Sequence, residues 1–403
     1  MKRKVYLFLV FIILITMLTG CWSRRELNDL AIVVGMGIDK SGDQFKVTAQ
    51  IINPEEIASK KGGSGNTPFI VYSYTGDTIY EAIRKMTKKS PRKLYAAHLR
   101  LLIIGDELAS EEGIGKALDL FSRDPELRTD YFVIVAKKTT AEQVLKILTV
   151  PLEKINANKI FESLEDSEKS WAATRGVTID ELISEIVFKG QNPLLTGIQI
   201  FGDPKEGERM ESLQSTSTEP NLLFPGLAAF KKDKLIGWLD ETESKGANYI
   251  LDKVKSTIIN VPCPKDDGFI GIELVRSKTN ITGSVKNEMP IVNISVQSEA
   301  SVGDVECTDT DLSKNANIQD LEAKTEEDIK SKIEAALKIA QKDFESDVFG
   351  LGVVIHQEAP KYWKRNAENW DNEFIDLTVN VNVDVKIRRI GTVGNSFLKE
   401  LKE

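Results

Sequence analysis

Apolar and polar residues alternate most regularly near the C-terminus. Leu377, Val379, Val381, Val383, Val385 and Ile387 interleave there with Thr378, Asn380, Asn382, Asp384, Lys386 and Arg388. A period of two predicts a long strand within residues 374–390, apolar on one face and wet on the other. Upstream, Ile329, Ile333, Leu337, Ala340 and Phe344 recur at helical spacing. They predict a helix over about 325–344, capped by Thr325 and Asp328, whose stripe packs on the apolar face of that strand.

The first half of the chain alternates strand and helix patterns. Ala31–Ile38, Phe45–Ile52, Phe69–Tyr74, a stretch within Leu94–Ile104, Tyr131–Ala136 and Leu195–Phe201 read as strands. Helices are predicted over Asp77–Lys88, around Ile114, Leu118 and Phe121, and through most of 151–189. Thr140 with Gln143, and Thr178 with Glu181, have capping-box spacing. Strand patterns then crowd together: a hairpin over 221–239, and runs at Ser256–Val261, Phe269–Val275, Lys278–Val285 and Ile291–Ala300. The fold class is α/β to α+β, multidomain, with mixed sheets flanked by helices. An N-terminal α/β region over 21–201 is expected to be followed by a linker or surface excursion over 202–220. That segment has few large apolar residues, and a C-terminal α+β domain over 221–395 comes after it.

The N-terminus has a different character. Lys2, Arg3 and Lys4 precede an apolar run from Val5 to Leu18, and the chain turns polar after Cys21. A basic start and a short apolar stretch ending in small residues describe an export signal over 1–20, too short for a comfortable membrane span. Leu18-Thr19-Gly20-Cys21 resembles the bacterial lipobox, in which the Cys thiol receives diacylglycerol and the chain is cut just before it. Gly20 leaves that bond uncrowded. Two or three acyl chains on one residue give a stable anchor where one does not. Cys21 is therefore the candidate lipidation site, as an N-palmitoyl, S-diacylglycerol cysteine.

Composition narrows the chemistry. The net charge is −8; without residues 1–20, which carry three basic groups and no acid, it is −11. An acidic body argues against nucleic acid as a partner and against broad adhesion to anionic lipid. Cys263 and Cys307 are expected as buried free thiols, although a disulfide is permitted outside the cell. His98 and His356 are the two histidines, and neither stands at metal-ligand spacing from a cysteine, so no metal or cofactor is expected. Gly35-x-Gly37 lacks the third glycine of a dinucleotide loop, and the glycine-rich 59–68 stretch lacks the ending of a phosphate loop. Glu55-Glu56, Glu111-Glu112 and Asp266-Asp267 read as solvated carboxylates. Trp363 and Trp370, set among Lys361, Lys364 and Arg365, read as core packing with snorkelling basic stems. No hydrolase motif is present, and the chain is not expected to be an enzyme.

Gly20-Cys-Trp-Ser-Arg-Arg-Glu-Leu-Asn-Asp-Leu-Ala-Ile-Val-Val-Gly-Met-Gly-Ile-Asp39 resembles the N-terminal signature of the spore germinant-receptor C subunits. So does Arg123-Asp-Pro-Glu-Leu-Arg128. Pro360-Lys-Tyr-Trp-Lys, Asn369-Trp-Asp and Val379–Arg389 followed by Gly391 resemble that family's closing segment. The resemblance spans nearly the whole mature chain, and Ser23 stands where many members carry an acid. It implies a lipoprotein on the outer face of the spore's inner membrane, in a nutrient-sensing receptor with integral-membrane A and B subunits. It implies three domains of unusual topology, the first two within the N-terminal half at about 22–136 and 137–201. It supplies no catalytic residues. A lipid-anchored solute-binding protein and a cell-wall hydrolase are the rival classes. The first needs two similar lobes, and the second needs an active-site motif.

Overall fold

The computed structural model of the protein describes residues 3–6, 8, 29–58, 66–148, 153–214, 220–264, 267–308 and 310–390. Among these, no helix is long and apolar enough to cross a membrane. The β-branched run after Asp29 forms β1 (Leu30–Ser41), which turns at Gly42 into antiparallel β2 (Gln44–Ile52). A short helix α1 (Pro54–Ala58) and strand β3 (Phe69–Gly76) follow, β3 pairing antiparallel with β2. Next come α2 (Ile79–Lys85), a 3₁₀ turn over Met86–Lys88, β4 (Lys93–Tyr95) and β5 (Leu101–Gly105). Helices α3 (Asp106–Glu111) and α4 (Gly115–Arg123) lead to β6 (Phe132–Ala136). Then α5 (Ala141–Lys146), α6 (Asn156–Ser170) and α7 (Ile179–Val187) lead to β7 (Leu194–Phe201). The capping boxes expected at Thr140 and Thr178 are both formed.

Strands β1, β5, β6 and β7 run parallel, as expected of apolar strands joined by helical crossovers. Beyond β7 lie α8 (Pro204–Gly207), β8 (Asn221–Leu223), β9 (Leu227–Lys231) and β10 (Lys234–Trp238). The resulting sheet has the order β10-β9-β7-β6-β5-β1-β2-β3, with β4 beside the start of β1 and β8 against β7. Hydrogen bonding in this first sheet therefore continues past residue 201 and across the 202–220 excursion into the 221–239 hairpin. One face is covered by α2, α4 and α7 through Ala82, Phe121 and Leu182. The other is covered by α5 and α6 through Leu145 and Ile160.

The second sheet is built after α9 (Glu241–Ile250) and has the order β11-β12-β13-β14. Its strands are β11 (Thr257–Pro262), β12 (Phe269–Lys286), β13 (Met289–Val305) and β14 (Thr378–Arg389). Between β13 and β14 stand α10 (Asn315–Lys342), α11 (Leu351–Glu358), α12 (Pro360–Asn366) and α13 (Trp370–Ile375). The stripe of α10 is buried at Ile329, Ile333, Ala336, Leu337 and Ala340, and it closes one apolar core with Ile259, Ile272, Leu274, Val292 and Ile294. Helix α9 crosses α10 so closely that a Cβ on Gly246 would lie 2.0 Å from the Lys332 carbonyl oxygen.

Four expectations change. Glu56, read as a solvated carboxylate, is buried at 5% exposure. The α10 helix begins at Asn315, so Thr325 is an interior residue and not a cap. Its buried hydroxyl donates to the Leu321 carbonyl at 2.7 Å, one turn back, and Leu321 extends the stripe by the same spacing. The separate strands expected at Phe269–Val275 and Lys278–Val285 are one strand, β12. Polar Arg276-Ser277 stays paired just after a bulge at Val275, where the register with β13 shifts between Leu274 and Arg276, and is not a turn.

Cys263 and Cys307 are joined in a disulfide, not held as free thiols. Cys263 follows β11 and Cys307 follows β13, the two strands flanking β12. Their chains converge past the start of β12, where the Cys263 amide donates to Gly268 and the Glu306 amide donates to Phe269. The Cα atoms come to 5.7 Å, and the bond spans a sequence separation of 44 residues. Closing a loop of that length constrains the unfolded chain by about 2–4 kcal/mol. The double variant Cys263→Ala/Cys307→Ala should lose that much, read as a lower urea midpoint, with wild type matching it once reduced. Equal midpoints for oxidised wild type and the double variant would contradict the pairing.

Candidate functional site

A cleft opens where α2, β4 and α4 meet on the first sheet. It encloses about 440 Å³ and leads into an inner pocket of about 70 Å³. Helix α2 is fixed at its start by Thr78, whose hydroxyl accepts from the Glu81 amide at 3.1 Å, and by Glu81, whose carboxylate accepts from the Asp77 amide at 2.8 Å. This registers Tyr80 and Arg84 along the rim and Ile83 beneath them. Helix α4 stops where Asp124 turns extended ahead of Pro125. The Asp124 carboxylate then accepts from the Glu126 amide at 2.9 Å, and its carbonyl from the Leu127 amide at 3.2 Å. The Arg123–Arg128 segment is thus a turn that forms one wall of the cleft.

The floor is apolar, with Ile83, Leu94 and Leu120 outside and Val33, Met36 and Phe121 further in. The mouth is charged. Arg84 donates to the Tyr80 hydroxyl at 2.7 Å and lies 5.0 Å from its ring centre. Lys93 pairs with Glu126 at 3.1 Å, and Arg123 pairs with both oxygens of Asp119 at 2.9 Å. Such a site suits a small amphiphile, apolar end inward. Among the described residues, no group of three or more His, Cys, Asp or Glu is placed to hold a metal.

A second hollow of about 470 Å³ lies at the carboxyl ends of β1, β5 and β6, where open α/β sheets bind ligands. Asp39 is buried there, but it is already used: its carboxylate accepts from the Ala141 amide at 2.8 Å and the Glu142 amide at 3.0 Å, capping α5. Burial pushes its carboxyl up, against the pull of those two amides. Gly35 and Gly37 serve packing. A Cβ on Gly35 would meet Leu145 at 2.8 Å, and one on Gly37 would meet Ala141 at the same distance.

The residues singled out from sequence fall in different places. Cys21 and the rest of the lipobox-like segment lie outside the described residues, as does Asp266. Trp363 and Trp370 are buried, with ring centres 5.2 Å apart, and His356 stacks on Trp363 at 5.5 Å. Trp370 donates through Nε1 to Asp347 at 2.9 Å, so the pair is core packing. His98 is exposed and edge-on to Tyr95. The pattern reading missed the cleft and a run of cations beside it. Between Ala82 and Gly105 the chain carries seven Lys or Arg and no acidic residue, a signal present in the sequence itself.

Comparison with known proteins gives a consistent result. The chain matches a family model described as "Spore germination protein N-terminal domain" over residues 23–200. It matches another described as "Spore germination B3/ GerAC like, C-terminal" over residues 225–391. It is 32% identical over 409 residues to spore germination protein KC of Bacillus subtilis (strain 168), covering 100% of both chains. It is 23% identical to spore germination protein B3 of the same strain, covering 96% of this chain and 98% of the other. Among solved structures it resembles the GerBC protein, with a TM-score of 0.54 and 18% identity over 88% of this chain and 97% of that one.

Proposed function

The chain belongs to this GerAC-like family of spore germination proteins, and from that premise we propose that it is the lipid-anchored, extracytoplasmic subunit of a nutrient germinant receptor. It is held through Cys21 on the outer face of the spore's inner membrane. It works by contact with the integral-membrane A and B subunits and not by catalysis. The observation that carries this reading is the join between two features. The lipobox-like Leu18-Thr19-Gly20-Cys21 ends two residues before the first family match begins at residue 23. An acyl anchor at that point leaves the whole matched region outside the bilayer. Tethering also raises its effective concentration near membrane-embedded partners.

The test is genetic and chemical together. Deleting the gene should abolish dipicolinate release to one class among amino acids, sugars and nucleosides. It should leave spore assembly, and germination by agents that bypass nutrient receptors, intact. Cys21→Ala should behave like the deletion, its N-terminus unlipidated by mass analysis and its chain uncleaved or released from membranes. An unchanged response to every nutrient, in a strain without a second such receptor, would overturn the receptor assignment. A mature wild-type chain without lipid on Cys21 would overturn the anchor.

A further inference from the structure

Strands β1 and β4 are parallel neighbours, Leu30 beside Lys93 and Ile32 beside Tyr95. The segments that precede them must therefore enter the sheet from the same end. The segment before β1 is the tether: residues 22–29, eight in number, separate Cys21 from Leu30. Fully extended, it reaches about 29 Å at most. The segment before β4 is the basic run, and the sequence places Arg84, Lys85, Lys88, Lys89, Arg92 and Lys93 within ten residues. Arg84, Lys88, Lys89, Arg92 and Lys93 are all exposed. Two cations of the run are neutralised, Lys85 by Glu81 at 2.8 Å and Lys93 by Glu126 at 3.1 Å. Among the described residues, no ion pair is formed by Lys88, Lys89 or Arg92. Lys89 only reaches the Ser73 carbonyl at 3.4 Å, with the Tyr74 ring 5.2 Å away.

Between the start of β1 and the basic run lies a groove of about 390 Å³, lined by Leu30, Ile32, Ile52, Pro54 and Ile70, with Arg92 and Glu55 at its border. Ile70 on edge strand β3 and Ile57 on α1 are 45% and 41% exposed. Cations without an ion pair among the described residues, exposed apolar side chains and the start of β1 thus meet at one end of a chain that is otherwise acidic.

We propose that this end of the first sheet is a membrane-contact surface, on which Arg84, Lys88, Lys89 and Arg92 rest against anionic lipid headgroups while Ile57 and Ile70 face the interface. The net acidic charge opposes adhesion elsewhere, so the contact also sets orientation: the start of β1 faces the bilayer, and the cleft shares Arg84 and Lys93 with the contacting end. The tether geometry rests on the anchor reading above.

The test supplies the anchor artificially, so its result does not depend on lipidation in cells. Cys263 and Cys307 being joined to each other, Cys21 is the thiol through which the chain 21–403 can be coupled to a maleimide lipid. Coupled vesicles of pure phosphatidylcholine, and of phosphatidylcholine with phosphatidylglycerol in equal parts, are treated with a membrane-impermeant amine reagent. Labelling of each lysine is then read by mass spectrometry. Lys88 and Lys89 should react several-fold more slowly on the anionic vesicles. Lys255 and Lys314, exposed on the second domain, should react equally on both. Molar salt should remove the protection, since it shortens screening to about 3 Å. The surface variant Lys88→Glu/Lys89→Glu/Arg92→Glu, uncoupled, should bind anionic vesicles at least about tenfold more weakly than wild type. Equal labelling of Lys88 and Lys89 on the two vesicles, or protection that persists on neutral lipid, would overturn the proposal. So would equal vesicle binding by the triple variant. A native N-terminus found without lipid would overturn the anchor reading alone.

Discussion

Asp347→Ala should destabilise the protein by about 3–5 kcal/mol, enough to remove a large part of an ordinary domain's margin. Asp347 is wholly buried. Its carboxylate accepts from the amides of Phe349 at 3.2 Å, Leu351 at 3.1 Å and Gly352 at 2.7 Å, and from Trp370 Nε1 at 2.9 Å. Alanine would leave four donors in a dry site with no acceptor. The damage would spread because the same loop joins the two sheets. The Asp347 carbonyl accepts from the Asn192 amide at 2.8 Å, and Ser346 donates to the Phe230 carbonyl at 3.1 Å. Gly352 packs so tightly on Gly190 that a Cβ there would meet the Gly190 Cα at 2.7 Å.

The pH dependence has a definite sign. Burial pushes the Asp347 carboxyl from 3.8 to about 6, against the pull of its donors. A raised carboxyl contributes stability that is fully present below its unfolded value and lost as the pH rises through its folded one. Asp347→Asn, which does not titrate, isolates that contribution. Its deficit relative to wild type should shrink between about pH 4 and pH 6 and stay flat above, read as urea midpoints. A deficit that grows over that range would refute the assignment.

How much of this was legible in the sequence depended on how local the signal was. Capping boxes at Thr140 and Thr178 are written in four residues, and both formed. The period-two run of β14 needed twelve residues, and it emerged as a strand under α10. The fold class of mixed sheets with flanking helices follows from such patterns, and the resemblance to GerBC agrees with it. The start of α10 was missed because Thr325 has cap chemistry and the ten residues before it are mostly polar, although Leu321 already continued the stripe. The disulfide was missed because it depends on two strands converging past a third, which no spacing encodes. The cleft could not be read at all: Ile83 on α2, Leu94 on β4 and Leu120 on α4 are brought together only by the tertiary fold. The basic run could have been read, but the whole-chain charge of −8 concealed it.

Val385→Asp should be the other severe change, at about 4–5 kcal/mol, while Asn382→Asp on the same strand should stay within about 0.5 kcal/mol. The apolar side of β14 is graded: Val379, Val381 and Val383 are half-buried, and Val385 is fully buried. Among the described strands β14 is an edge, paired with β13 alone, and edges invite unwanted pairing unless covered. Here α10 supplies the cover. Glu326 accepts from the Val385 amide at 2.9 Å, and Glu322 accepts from the Ile387 amide at 2.9 Å. An aspartate at 385 would therefore enter the apolar core beside a strand edge already held by two carboxylates. It would meet like charge where it needs a cation, and repulsion would add to desolvation. Asn382 points to the wet face and tolerates a charge. Urea midpoints of the two variants decide the matter, and Val385→Asp should also open the edge, so that hydrogen exchange speeds at the Val385 and Ile387 amides. Comparable losses from both substitutions would mean that α10 does not lie on the Val385 face.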